Sequence, residues 1–261
     1  FNTELELRRE APFGITLLAG YTGLRYSDTT STTLQDQDRT NIGMRFRFNI
    51  NPVLQGTLTA RHETFEENGT PGTRETTSLD GSLRQSLQTG SFGLNANVTS
   101  VEEGERYTLS VSRGIEGPLW QATGTFGVTQ STSGDSFPSG TLDYRRDFQN
   151  SAMSFNLTHA IRSGIDDTER EFTAAQFGYT RPLDRDSSLS FNATYSETNP
   201  TAAGLGTTSL GTLGLGYQRE LAPGWRMNMG LNRRVSTNTA GDTARDNSLS
   251  LSVRRDLTAR R

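Results

Sequence analysis

Strict alternation of apolar and polar residues, sustained through nearly every segment, is the feature that most restricts what this chain can become. A period of two places successive side chains on opposite faces of an extended strand, and no helical spacing reproduces it. Ile42, Met44, Phe46 and Phe48 alternate with Arg45, Arg47 and Asn49. Leu54, Gly56, Leu58 and Ala60 alternate with Gln55, Thr57, Thr59 and Arg61. The same pattern returns in Phe92, Leu94, Ala96 and Val98, in Met153, Phe155 and Leu157, and in Leu189, Phe191, Ala193 and Tyr195. It closes the chain in Met227, Met229 and Leu231, and in Leu249, Leu251 and Val253.

Composition narrows the architectures that such strands can build. Only 31% of the 261 residues are hydrophobic, and mean hydropathy is -0.62, too low for an ordinary soluble core of this length. Disorder does not fit either, because the net charge is only -3 and the periodicity is continuous. A transmembrane barrel removes the conflict, since half of each strand faces lipid and the other half lines water. Cysteine is absent, so disulfides and thiolate chemistry are unavailable. No apolar run approaches the roughly 20 residues of a membrane-spanning helix. The near-neutral charge gives no reason to expect a nucleic-acid partner. The chain opens at Phe1 without an initiator Met or a signal-peptide pattern, and so reads as a processed or excised segment.

The connections alternate in length. Tight links are expected at Ala11-Pro12-Phe13-Gly14, Asn51-Pro52, Leu87 to Gly90, Glu116-Gly117-Pro118, Gln149-Asn150, Leu183 to Asp186 and Ala222-Pro223-Gly224. Longer polar links are expected at Ser27 to Asp38, Glu66 to Arg74, Glu102 to Glu105, Ser131 to Ser139, Ser163 to Thr168, Glu197 to Gly206 and Thr237 to Ala244. An up-and-down meander follows, with a loose repeat of about 35 residues per hairpin and loop. The strands entering the tight turns end alike, as Leu7-Arg8-Arg9, Tyr144-Arg145-Arg146, Tyr179-Thr180-Arg181, Tyr217-Gln218-Arg219 and Val253-Arg254-Arg255. Trp120 and Trp225 open the strands across the turns. These rings, with Tyr144, Tyr179 and Tyr217, predict an interfacial girdle at one membrane boundary, its guanidinium groups reaching phosphates. The count is about 15 strands, and single-chain bacterial barrels close with an even number, so the reading is either an ascending strand missing upstream or a merged hairpin, with about 16 strands expected in the intact barrel and 14 or 18 as alternatives.

Both histidines, His62 and His159, fall on the apolar face by parity, where they are poorly placed for a hydrolytic constellation, so an outer-membrane enzyme ranks as the third reading behind a channel and an anchoring barrel. Acids cluster at Asp36 with Asp38 and at Asp166, Asp167 and Glu169, without the ligand spacing of a dedicated calcium site, so they read as solvated surface acids. The glycine-rich run Gly204 to Gly216 lacks the features of a phosphate loop, and Gly214 and Gly216 are expected to point inward and leave room. The charged residues assigned inward are Glu6, Arg8, Arg45, Arg47, Arg61, Glu63, Asp80, Arg84, Asp143, Arg145, Arg226, Arg234 and Arg254, with arginine densest toward the short-turn end. Burying these without partners is costly, so they predict either a wet channel that favours anions or a barrel plugged by Arg-carboxylate pairs.

Through its alternating strands, alternating turn lengths and Tyr-x-Arg and Trp girdle, the whole chain resembles the bacterial outer-membrane β-barrel class. General porins and the barrels that export exopolysaccharide are both of this kind. The resemblance implies residence in the bacterial outer membrane, lipid contact, and passage of hydrophilic or anionic solutes or polysaccharide without a cofactor, metal or enzymatic step. Periplasmic partner proteins, or an anchoring role in a larger assembly, are further implications. Two departures stand out: the chain ends in Asp256-Leu257-Thr258-Ala259-Arg260-Arg261 rather than in a terminal aromatic, and no loop carries an evident pore-constricting insertion.

Overall fold

The computed structural model describes residues 1–8, 12–25, 36–67, 73–102, 104–163, 168–201 and 206–255. Its elements are fifteen strands. They are β1 (Asn2–Leu7), β2 (Phe13–Leu24), β3 (Gln37–Asn51), β4 (Leu54–Glu67), β5 (Thr73–Leu87), β6 (Gly90–Val101), β7 (Gly104–Gly117), β8 (Trp120–Gln130), β9 (Ser136–Phe148), β10 (Ser151–Ser163), β11 (Glu169–Pro182), β12 (Ser187–Pro200), β13 (Thr208–Ala222), β14 (Trp225–Thr237) and β15 (Thr243–Arg255). They form one antiparallel sheet whose spatial order follows the chain. Sequential pairing of this kind needs only hairpin connections, which is why short turns suffice. The chain falls into two units: Phe1–Arg113 with Phe126–Pro138, and Gly114–Thr125 with Ser139–Arg261.

Most strands hold 11 to 15 residues, longer than the 9–11 that suffice to cross a bilayer. Local chemistry sets where they reverse. The Asn51 side-chain oxygen accepts from the amides of Val53 (2.9 Å) and Leu54 (2.8 Å), closing an Asx-type turn. Pro223 followed by Gly224 at φ 79° matches the dihedrals a type II turn demands of its two central residues. Asp184 turns the chain between β11 and β12 by accepting from the Asp186 amide at 2.9 Å.

Several expected boundaries move. Phe13 and Gly14 belong to β2 rather than to its preceding link, of which Ala11 lies outside the described residues. The link expected at Glu102 to Glu105 shrinks to the two residues between β6 and β7, with Gly104 at φ 140° entering the next strand. Several ends assigned to long links, among them Glu66, Arg74, Asp38 and Pro200, are already strand. The chain ending 256–261, Arg9, Asp166, Asp167 and Gly204 lie outside the described residues.

Register assigns the two faces. Phe13 pairs with Phe48, Ile15 with Phe46, Leu17 with Met44 and Ala19 with Ile42, and Phe46 continues to Leu58. In the second unit Phe155 pairs with Phe177, Phe177 with Ala193, and Phe191 with Leu215. The large residues of this face stay open, including Ile42 at 56%, Leu109 at 60%, Phe126 at 66% and Leu231 at 54% exposure. Most buried strand residues, such as Leu18, Gly20, Gly93, Thr99, Gly127 and Gly214, sit on the opposite, polar face. That inverts the distribution of a soluble protein, where a sheet turns its apolar side toward protein. Among the described residues no second layer packs over it, and an apolar row of this extent suits a lipid solvent.

Candidate functional site

The polar face is organised in cross-strand rows. In the first unit one row runs Glu6, Thr16, Arg45, Thr59, Asp80, Asn97 across β1 to β6. The adjacent row, nearer the tight turns, holds Gly14, Arg47, Thr57, Ser82 and Asn95. Toward the loops come Arg61 opposite Gly43 and Ser78, and Glu63 opposite Asn41 and Thr76. Arg84 faces Gln55 and Gly93. Charges of both signs are therefore interleaved at contact distance. Arg39 Nε lies 2.8 Å from Glu63 Oε1, Arg47 Nη1 lies 3.9 Å from Glu6 Oε1, and Asn97 donates to Asp80. Thr57 and Ser82 hydroxyls share a hydrogen bond of 2.7 Å. Arg8 follows β1 in a left-handed conformation, φ 55°, and is exposed.

The second unit has a different polar face. Its central row reads Arg145, Ser154, Gly178, Asn192, Gly214, Asn232, Ser248 from β9 to β15. Small and neutral residues fill it after the first position. The row nearer the loops is Asp143, Asn156, Gln176, Thr194, Thr212, Arg234, Asp246, with Asn156 donating to Asp143 and Thr194 bonded to Thr212. Near the turns Arg226 pairs with both Glu220 and Arg254, and Arg145 lies 3.4 Å from Asp147. A shallow groove on this face is lined by Gln121, Thr123, Asp143, Arg145, Asn156 and Gln176. Gly214 shows why glycine recurs here: a Cβ would run into the Asn192 side chain, which lies across it.

All the charged positions assigned inward from the sequence that lie on strands occupy this face, but they form two sets rather than one. The expected crowding of arginine toward the short-turn end is not what the described residues show. Arg39, Arg74, Arg106, Arg162 and Arg170 also point to the polar side, near the loop ends of β3, β5, β7, β10 and β11. Sequence reasoning missed them because Arg74 fell inside an expected long link and the other four lie within two residues of one, where polar residues dilute the alternation. Three aromatics were missed as well, Phe137 inside an expected link and Phe65 and Phe172 beyond the ends of two others: all sit on the polar face near loop ends, and Arg162 lies 4.0 Å over the Phe172 ring. Strict continuation of parity from the strand centres would have found all eight.

The expected girdle residues lie on the apolar face at the turn ends. Trp120 and Tyr144 rings are 6.5 Å apart, Tyr179 pairs with Met153 and Phe191, and Tyr217 with Leu189 and Met229. Arg255 lies 5.4 Å over the Trp225 ring. Both histidines are on this face as well. His62 Nδ1 shares a hydrogen bond with Thr77 at 2.9 Å, and His159 Nδ1 with Thr173 at 2.8 Å. Glu171 lies 3.5 Å from His159 Nε2. Among the described residues no three His, Asp or Glu side chains converge as metal ligands would.

No family model matches the chain, and no curated protein does. Solved structures do. The copper transporter OprC superimposes with a TM-score of 0.55 at 13% identity, covering 92% of this chain and 52% of that one. The FrpB iron transporter from Neisseria meningitidis does so with 0.51 at 9% identity, covering 90% and 52%. The chain thus spans about half the length of the transporters it matches. A single antiparallel meander, apolar on its open face and polar on its crowded one, has the fold of the bacterial outer-membrane β-barrel proteins.

Proposed function

We propose that the chain works in the bacterial outer membrane as a channel for hydrophilic solutes, with the polar face as its lining. The observation that carries this reading is the unbroken set of cross-strand polar rows, from Glu6 to Asn97 and from Arg145 to Ser248, behind a face that only lipid can solvate. Arg8, Arg45, Arg47, Arg61, Arg84, Arg145, Arg226, Arg234 and Arg254 would draw anions, with Glu63, Asp80 and Asp143 tempering the field, while Ser, Thr and Asn exchange hydrogen bonds with a hydrated permeant. Export of an anionic polysaccharide is the sharper form of the proposal, and a periplasmic partner would then feed the channel. An enzymatic role finds no support in the histidines, which face lipid and bond to threonines.

The Arg39–Glu63 and Arg47–Glu6 contacts favour a second reading, an anchoring barrel whose interior is cross-linked by ion pairs. Conductance across a planar bilayer separates the two. A channel gives steady steps whose anion preference drops when Arg45, Arg47 and Arg145 are replaced by Gln. A plugged anchor carries no steady current, and unchanged selectivity in the variant removes these arginines from the lining.

A further inference from the structure

We propose that, in the second unit, the turn-end rim of the apolar face binds the headgroups of an anionic phospholipid leaflet through Arg146, Arg181, Arg219 and Arg255. The inference rests on the membrane placement in the proposed function but not on conduction. The four arginines occupy β9, β11 and β13, which run into short turns, and β15, whose last residue is Arg255, and all are exposed. Register builds the same motif repeatedly: Arg146 and Tyr179 flank Met153, and Arg181 and Tyr217 flank Leu189. Arg219 and Val253 flank Met227. Two strands of lateral spacing and two residues of stagger set successive guanidinium groups roughly 12 Å apart along the rim. Arg146 lies 4.8 Å over the Phe148 ring and Arg255 5.4 Å over the Trp225 ring, which holds the stems on the apolar surface with the charged ends outward.

Among the described residues no salt bridge joins any of the four to a carboxylate. Asp147 and Glu220 at this end point to the polar side, and Asp184, in the turn after β11, lies close enough to Arg219 to feel its charge. The opposite end of the same face is acidic. Glu171 and Glu197 lie there with His159 and Tyr195, although Arg233 and Arg245 on β14 and β15 are outward-facing cations nearer the loops. Along β11 the outward residues read Glu171, Thr173, Ala175, Phe177, Tyr179, Arg181. Ten residues span about 34 Å of strand, or about 26 Å of depth at a tilt near 40°, which matches the apolar band of a membrane barrel. The arginines therefore fall at one headgroup plane, where lipid phosphate supplies an anion.

The test refolds the full chain into vesicles of phosphatidylethanolamine with phosphatidylglycerol, extracts it in mild detergent, and counts retained phosphatidylglycerol by native mass spectrometry. Replacing all four arginines by Gln is expected to weaken retention by about fivefold per arginine removed, while E171Q with E197Q leaves it unchanged. Insertion is checked by protease protection; if the quadruple variant does not insert, the pairs R146Q/R181Q and R219Q/R255Q carry the same expectation. Undiminished retention in an inserted variant, or an equal loss in the glutamate variant, overturns the proposal. Conductance read on the same preparations keeps the two ideas apart: a parent that binds phosphatidylglycerol without conducting sinks the channel and leaves the lipid rim standing.

Discussion

The polar faces of the two units are built from the same alternation and yet differ in kind. In the first, the row Glu6–Thr16–Arg45–Thr59–Asp80–Asn97 carries charge of both signs across neighbouring strands. In the second, the row carries charge only at Arg145, and Ser154–Gly178–Asn192–Gly214–Asn232–Ser248 beyond it carries none. Period-two patterning requires only that one face avoid lipid; what fills that face is free to vary. One unit uses the freedom for an electrostatic field and the other for space, since glycines at alternate strands let polar side chains lie flat against the sheet.

The comparison breaks first if the faces are misassigned. Arg in place of Leu213, on the outward row of β13, should cost about 2–4 kcal/mol of folding free energy in lipid vesicles, whereas Arg in place of its neighbour Thr212 should cost far less. Equal costs, measured by urea titration in vesicles, would show that the rows do not separate lipid from water. A Gly214→Val change tests the use of space. It should destabilise by about 1–3 kcal/mol through overpacking against Asn192 and lower conductance without altering ion preference. Its counterpart in the first unit, Arg45→Gln with Arg47→Gln, should alter ion preference with little effect on stability. Anion selectivity, read from reversal potentials, should fall by about fivefold per charge at contact distance in water.

The smallest effect concerns a turn of the second unit. The Ser187 hydroxyl and the Asp186 amide hold the Asp184 carboxyl below the usual carboxylate range, with Arg219 assisting. A lowered folded value means that the contribution is present above the unfolded value, about 3.9, and fades as pH falls through the lower folded one. Turn stability should therefore weaken below about pH 4. Amide exchange at Asp186 should report the loss, and Asp184→Asn should remove its pH dependence.

Face assignment was legible in the sequence wherever apolar residues alternate without a break, as from Ile42 to Phe48 and from Leu189 to Tyr195. Tight turns were legible because Asn51, Asp184 and the Pro223-Gly224 pair each impose a local geometry. Strand ends were not. Arg39, Arg74, Arg162, Phe65 and Phe172 lie where polar residues dilute the pattern, and pairing with a neighbouring strand, rather than their own apolar content, keeps those segments extended.

By itself the sequence determined that the chain forms antiparallel strands with one lipid-compatible face, because alternation is a property of each strand taken alone. Only the tertiary structure decided which side chains share a row. Arg45 meets Asp80 across Thr59, and Arg181 stands beside Tyr217 across Leu189, because such neighbours are set by hairpin register and by the stagger between hairpins. A shift of one residue would reverse every face, and a shift of two would keep the faces while exchanging every partner.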